Sequence, residues 1–468
     1  MGWFQDVSPL GLAAWTRARH IVKMRLLLNK FMSFGAISVA QKLIALVLQI
    51  QIIAFAGETE FGAYIYLLNI TNLVAMVVVF GFPQLLTREI AYYHASGQDH
   101  QLRGILRFSS AFVAVGTLIV AIVGALACWS YCSPVAEIYD YAAWIAILLF
   151  TTLTLTSLQQ AILRGLQRVM VAAWPMMLLQ PLTMLGLVVA SKLLDWEGTA
   201  LELLIYMVVG NLVASIFMAF FIRRALAVQG SQKKIVPSYS LSVWWRSLLP
   251  FFLLGGIALL MQRSDILILG IYYPPEDIGV YAVAAQLGFL AQMPIMIVNS
   301  TIEPQIAAAH ARNEYGQMRK LYADLSVLTG VSVIAVCAGL WLAGPLLLTH
   351  LFGPTYINSY HPLLIIALGF AIGALIGPTG TFLSMVGKER MTLYAVGGAV
   401  VLNIALNFLL IPLAGLEGAA IATSVAMVLS KVIMAVMVWR ELGIRPGPLG
   451  YFGLARANVA PQKSENVK

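Results

Sequence analysis

Charged residues are scarce in this 468-residue chain: Asp, Glu, Lys and Arg make up 10% of it, where a soluble protein carries about a quarter. Cysteine is scarcer still, with three residues. Cys128 and Cys132 lie one helical turn apart, an awkward geometry for a disulfide, and Cys337 stands alone, so all three read as small apolar residues. There is no GxxxxGK[ST] stretch, which excludes direct drive by ATP through a phosphate-cradling loop. His94, His100, His310, His350 and His361 are scattered over loops without metal-ligand spacing, so no metal or cofactor is implied. No long outer loop exists to carry paired carboxylates for glycosyl transfer. An enzyme is the poor reading.

What the chain does have is hydrocarbon: 60% hydrophobic residues and a mean hydropathy of +0.86. One core cannot absorb that surface, but a bilayer can, at roughly 20 apolar residues per crossing. The runs are long and continuous, not alternating, which excludes a transmembrane β-barrel. The pattern predicts an all-α polytopic membrane protein with about twelve spans, near residues 31–55, 61–82, 109–130, 141–160, 170–191, 200–222, 247–272, 278–299, 323–347, 361–385, 391–412 and 417–438. They group into a first six-helix bundle (31–222) and a second (247–438), joined by a basic linker (223–246).

Charge orients the chain. With both termini in the cytoplasm, 25 of the 29 Lys and Arg lie on that side, while the opposite side keeps Lys192 and holds ten acids, among them Glu58, Glu60, Asp195 and Asp277. That is a strong positive-inside asymmetry. It also accounts for the net charge of +9: these cations meet anionic headgroups, and nothing points to nucleic acid. Trp129, Tyr131, Tyr141 and Trp144 fit an interfacial aromatic belt at the outer face. Residues 1–30 form a basic cytoplasmic segment whose stretch TRARHIVKMRLLLNK reads as an interfacial helix, or as untranslated if Met24 is the initiator. The tail (439–468), rich in Pro, Gly and Lys after Gly443, reads as unstructured and cytoplasmic.

The halves echo each other. ETEFGAYIYLL (58–68) and PEDIGVYAVAA (275–285) share acid, apolar residue, Gly, any residue, Tyr. GFPQLLTREIA (81–91) and IEPQIAAAHAR (302–312) share Pro-Gln at the cytoplasmic exit of a span. AQKL (40–43) and MQRS (261–264) both set an amide and a cation in mid-membrane. The spacings differ by one helical turn. Six helices per half keep both halves in one orientation, which predicts a pseudo-two-fold axis along the membrane normal.

The segment LLMQRSDILILG (259–270) places Arg263 and Asp265 within a nearly unbroken apolar run. A charge at the bilayer centre costs about 2.5–3.5 kcal/mol on insertion scales, so it faces protein or a watery cavity. Lys42 is equally deep in the first half. In one reading Asp265 pairs with Lys42 or Arg263 as an interhelical clamp. In the other, Lys42, Arg263, Gln41, Gln262 and Gln49 line a net-positive cavity suited to an anionic, hydrogen-bonding cargo such as a diphosphate joined to sugars. Gln49, seven residues beyond Lys42, shares its face. Asn69, Asn72, Gln159, Gln160, Asn211, Asn403 and Asn407 either coat that lumen or bond between helices. Lys431 reads as snorkelling toward the cytoplasm, and Gln180 beside Pro181 as a kink.

Several stretches resemble a known family: RSDILILG (263–270), EDIGVYAVAAQL (276–287), PQIAAAHARNEYGQMRKLY (304–322), LFGPTYINSYHPLLIIALG (351–369), FGAYIYLLNI (61–70) and GFPQLLTREIA (81–91). Over roughly residues 30–440 the chain resembles the polysaccharide-transport branch of the multidrug/oligosaccharidyl-lipid/polysaccharide exporter superfamily, the O-antigen and capsule repeat-unit flippases. The resemblance implies a V-shaped pair of bundles around a cationic lumen in the bacterial inner membrane. It implies a cargo of undecaprenyl-diphosphate-linked repeat units, with a polysaccharide polymerase and a chain-length regulator as candidate partners. It nominates Lys42 and Arg263 as diphosphate contacts and Asp265 as a lumen acid binding a coupling ion. Some members have fourteen helices, against about twelve spans in this chain. The alternatives are a proton- or sodium-coupled drug or metabolite antiporter of the same superfamily and, further off, a membrane-embedded glycan polymerase or ligase.

Overall fold

The computed structural model describes residues 9–131, 137–228 and 236–447, and these are helical with no strand among them. Ten of the helices are long and apolar enough to cross a membrane. Two of the ten hold a pair of crossings each, so the twelve expected spans are present. The first of these runs Pro9–Val79, 71 residues; unbroken, it would measure about 107 Å at 1.5 Å per residue, far beyond a hydrocarbon core of about 30 Å. Gly57 breaks it, at φ 78° and ψ −178°, a conformation that glycine adopts without steric cost. Gly415 does the same inside Glu389–Leu442, at φ 57° and ψ −133°.

The elements of the first half are α1 (residues 40–56) and α2 (58–79), the short α3 (Phe82–Ala95), α4 (Asp99–Tyr131), α5 (Glu137–Gly165), α6 (Val169–Leu193) and α7 (Ala200–Val228). Those of the second half are α8 (Leu241–Tyr272), α9 (Pro275–Gly288), α10 (Met293–Ala311), α11 (Tyr315–Leu347), α12 (Tyr360–Ile376), α13 (Thr379–Met385), α14 (389–414) and α15 (416–442). Local chemistry sets several ends. Thr199 and Glu202 form a reciprocal capping pair at the start of α7. The Glu60 carboxylate accepts the Ala200 N–H at 2.6 Å, pinning α2 to the positive end of α7. The kink expected at Gln180 is present as a π-helical turn over Pro175–Leu179, just ahead of Pro181, which has no N–H to continue the ladder.

The first repeat motif packs against its own copy. A Cβ on Gly62 would overlap the Pro275 carbonyl oxygen and stand 3.2 Å from Gly279 N. One on Gly279 would stand 3.4 Å from Gly62 Cα and 3.2 Å from the Glu58 oxygen. Backbone thus meets backbone where α2 and α9 cross, and Thr59 Oγ1 donates to Glu276 Oε1 at 2.8 Å across the same seam. The two halves are sealed on the face that the charge asymmetry assigns to the outside.

The opposite ends of these helices diverge. α3, which carries Pro83-Gln84, packs on α4, α5 and α8, whereas α10, which carries Pro304-Gln305, packs on α11 and α13 of its own half. The two Pro-Gln motifs therefore do not meet as the two glycine motifs do. α8 bridges the halves: near its N-terminal end Trp244 and Leu248 are buried in a core with Phe82, Leu85, Ile90 and Ile105, while Ile266, Ile268 and Leu269 enter the second-half core with Ile278, Phe370 and Ile411. Arg88 fastens the first of these contacts, donating to Ser247 Oγ at 2.8 Å and lying 5.1 Å from the Phe251 ring centre.

The cysteine pair Cys128 and Cys132, the aromatic side chains at Trp129, Tyr131 and Tyr141, and the side chains of the basic segment 1–30 lie outside the described residues. Trp144 is exposed, as expected of a belt residue. The tail departs from its expectation within its first residues: Ile444 is buried in a core with Met318, Tyr322 and Val438. Residues 448–468 are outside the described range.

The outer seal makes a specific prediction. Gly62→Val places a branched side chain where Pro275 and Gly279 stand, forcing α2 and α9 apart. In a Thr59→Cys/Glu276→Cys background, oxidative cross-linking of the intact membrane protein should fall at least several-fold with Gly62→Val. It should be unchanged by Gly186→Ala, where an added Cβ meets nothing within 4 Å. Equal cross-linking in both would mean that the seam does not depend on this contact.

Candidate functional site

The charged pair in mid-α8 divides between two environments. Ser264, Asp265 and Ile266 are buried, whereas Gln262 and Arg263 are exposed. A step of about 100° per residue turns Asp265 into the second bundle and leaves Arg263 on its surface, within electrostatic reach of Asp265 and of Tyr64 in the first half. Arg263 makes no ion pair within 4 Å among the described residues, so the clamp reading is not what the structure contains. Lys42 is also exposed and makes no ion pair among the described residues, Gln41 is half-buried and Gln49 is buried. Lys42 and Gln49 share a face as expected, yet two turns of helix carry Gln49 into the interior, where its Oε1 has no partner.

Asp265 is held by hydrogen bonds. Its Oδ2 accepts from Tyr281 Oη at 2.6 Å, and its Oδ1 accepts from the Ile266 N–H at 2.9 Å. Beside it Ser264 Oγ donates to Asn403 Oδ1 at 2.6 Å. Asn403 Nδ2 donates to Thr423 Oγ1 at 3.2 Å, and Asn407 Nδ2 donates to Asn403 Oδ1 at 3.1 Å. Asn407 Oδ1 is buried without a partner. Four helices (α8, α9, α14 and α15) thus close around a carboxylate, amides and hydroxyls. A carboxylate buried without a cation within 4 Å is costly, and the hydrogen bonds from Tyr281 and Ile266 offset part of that cost. The donor set is all oxygen, which suits a hard cation and offers nothing to a thiolate- or imidazole-seeking metal. No group of three or more His, Cys, Asp or Glu exists among the described residues.

The asparagines resolve unevenly. Asn403 and Asn407 bond between and along helices in this cluster, and Asn211 Nδ2 reaches Thr152 Oγ1 at 3.5 Å across α5 and α7. Asn69 and Asn72 instead donate to Ile65 and Leu68 carbonyls of their own helix, at 2.7 and 2.8 Å, and make no side-chain bond between helices among the described residues. Gln159 is buried with its Oε1 unpartnered. Gln160 accepts from Arg164 at 2.7 Å, one turn along α5. Lys431 is half-buried, with its stem against Gly373.

Sequence reasoning missed Tyr64 and Tyr281, although both lay in the repeat motif. Each follows its seam glycine by two residues, about 200° around the helix, so when the glycine faces the other half the tyrosine faces its own bundle. Tyr281 reaches Asp265. Tyr64, with Ile44 where the second half has Asp265, reaches Met184 Sδ at 3.9 Å. The recurrence of Tyr at matched positions was the available signal.

Comparison with known proteins agrees with this architecture. Residues 27–310 match the profile of the family described as polysaccharide biosynthesis protein, and residues 250–409 match the MatE family. In Haloferax volcanii, the probable low-salt glycan biosynthesis flippase Agl15 is 25% identical over 171 residues, 36% of each chain. The probable flippase AglR, from the same organism, is 25% identical over 418 residues, covering 86% of this chain and 81% of AglR. Among solved structures, an inward-facing multidrug-resistance MATE transporter of the MOP superfamily aligns with a TM-score of 0.67 at 12% identity, covering 91% of this chain and 100% of its own. The lipid II flippase MurJ in an inward closed conformation aligns with a TM-score of 0.62 at 13% identity, covering 87% of both chains. These structural likenesses establish a shared fold, and with the profile match over most of its length the chain belongs to the polysaccharide biosynthesis protein family of membrane transporters.

Proposed function

We propose that this protein is a flippase that carries undecaprenyl-diphosphate-linked oligosaccharide repeat units across the bacterial cytoplasmic membrane for surface-polysaccharide synthesis. The observation that carries the reading is Arg263: an unpaired guanidinium, deep in the membrane, on the surface of α8 that faces the first half. A permanent cation in that position needs an anion or water. Two relatives named as flippases support transport of a lipid-linked glycan over bond-making chemistry. With the outer seam closed, cargo reaches Arg263 and Lys42 from the cytoplasmic side. The diphosphate binds these cations while the polyprenyl tail stays in the bilayer, and rocking of the halves opens the seam at Gly62 and Gly279. The Gln262 and Gln41 amides add donors, and Gln49 faces the first-half interior. A polysaccharide polymerase and a chain-length regulator would take the product on the far side. Asp265 binds the coupling ion, a proton or sodium, among Asn403, Asn407 and Thr423.

The second reading is a drug or metabolite antiporter of the same superfamily, favoured by the MatE match. Such exporters usually take cationic cargo and would use a surplus of lumen acids. The charges at this depth are Lys42 and Arg263 against Asp265, a surplus of the other sign.

Charge-assisted hydrogen bonds contribute about 1.5–3 kcal/mol, so Arg263→Ala should reduce glycan display at least tenfold in cells lacking the native gene, at equal membrane protein level. Arg263→Lys should retain part of it, since a point charge survives while the bidentate fork is lost. Full display by Arg263→Ala would remove the case for an anionic cargo. Asp265→Asn keeps the side-chain volume and the Tyr281 contact but no longer titrates. It should abolish transport in an ion-gradient-driven vesicle assay while Arg263-dependent cargo binding persists. Undiminished, gradient-dependent transport by Asp265→Asn would show that Asp265 does not couple an ion.

A further inference from the structure

A groove of about 630 Å³ opens on the outer face of the second half, between the C-terminal end of α8, the turn leading into α12 and the Gly415 break. Its size falls within the range of about 300–1,000 Å³ of small-ligand clefts. Tyr273, Asn358, Tyr360, His361 and Glu417 supply its polar lining, and it has neither Lys nor Arg. His361 Nδ1 stands 3.5 Å from Glu417 Oε1, and the Tyr360 and His361 rings meet edge to face at 6.0 Å. Asn358 offers its amide without a protein partner among the described residues. The walls are firm: Tyr360 Oη donates to the Trp341 carbonyl at 2.9 Å, Tyr273 Oη donates to the Ile411 carbonyl at 3.4 Å, and Gly415 leaves room against Tyr273, where a Cβ would stand 3.2 Å from the hydroxyl.

We infer that this groove is a saccharide-binding subsite for neutral sugar rings of the transported glycan on the outer face, an assignment that rests on the flippase reading. Its chemistry selects that class. Aromatic faces stack on the C–H surfaces of sugars, a carboxylate accepts from vicinal hydroxyls, and an amide and an imidazole both donate and accept. An anionic group would meet Glu417 with no cation besides His361, and a purely apolar ligand would leave the polar lining unpaired. The position fits release. Tyr273 is two residues from Pro275, which abuts Gly62. Ser359 Oγ, in the turn carrying Asn358, donates to the Val280 carbonyl at 2.7 Å, next to the seam residue Gly279. The turn that carries Asn358 is therefore tied to α9, the helix of the outer seal, and the groove lies beside the route of a glycan emerging past that seal.

The test uses the full-length protein in nanodiscs, titrated calorimetrically with the tail-free repeat oligosaccharide released by mild acid from the producing cells' own surface polysaccharide. Saturable binding is expected. Glu417→Gln and Asn358→Ala, both at exposed positions, should each weaken it about tenfold, the size of one well-made hydrogen bond to a charged group. Inorganic diphosphate at the same concentration should not compete. Absence of saturable binding, unchanged affinity in the Glu417→Gln/Asn358→Ala double variant, or competition by diphosphate would each overturn the assignment. Arg263→Ala should leave the titration unchanged. Lost saccharide binding beside intact Arg263-dependent export removes the groove alone, and full export by Arg263→Ala beside intact saccharide binding removes the flippase reading alone.

Discussion

The contact between Gly62 and Gly279 is the constraint around which the two halves are arranged. Helices in a membrane gain little from burying apolar surface against each other, because the lipid is as apolar as they are, and close association depends on small residues that bring backbones together. At this crossing two copies of one motif approach until main chain touches main chain, with Thr59 and Glu276 joined beside it. An alanine in place of Gly62 would already overlap Pro275. The same contact sets the rotation of α2 and α9 about their own axes, and that rotation sends Tyr64 and Tyr281 inward, each into its own bundle.

The halves share a scaffold and differ in chemistry. Aligning AQKL with MQRS sets Lys42 against Arg263 and, two residues further, Ile44 against Asp265. The second bundle therefore encloses a carboxylate ringed by Tyr281, Ser264 and the Asn403 cluster. The first bundle is acid-free at the matching position, and its Tyr64 has a methionine sulfur as its neighbour. Buried amide oxygens without protein partners at Gln49, Asn69, Gln159 and Asn211 suit an interior wetted by water, since polar groups left bare are costly. The buried acid is thus confined to one side of a nearly symmetric frame.

The helix α8 joins these features. Its N-terminal end is held in the first half by Trp244, Leu248 and the Arg88–Ser247 bond, its C-terminal end in the second half by Ile266, Ile268 and Leu269. Arg263 and Asp265 sit just before that C-terminal anchor, on opposite sides of one helical surface. The cation and the buried acid thus sit on a helix whose two ends are anchored in different halves.

The sequence by itself determined the membrane class, the twelve spans and the pairing of the halves, because hydropathy, charge asymmetry and short repeats act locally and additively. It also exposed Arg263 and Asp265, since a charge inside an apolar run is conspicuous without any structure. What it left open depended on helix rotation and on contacts between distant segments. Whether Asp265 met Lys42, Arg263 or neither was decided by the turn of α8 and by Tyr281 sixteen residues away. Asn403, Asn407 and Thr423 lie more than 130 residues from Asp265 in the chain. Spacing cannot forecast that they bond to one another and to its neighbour Ser264, whereas the packing of α8 against α14 and α15 brings them together. Asn69 and Asn72 show the converse: their amides satisfied nearby carbonyls one turn back, a local bond that competes with any role across the bundle.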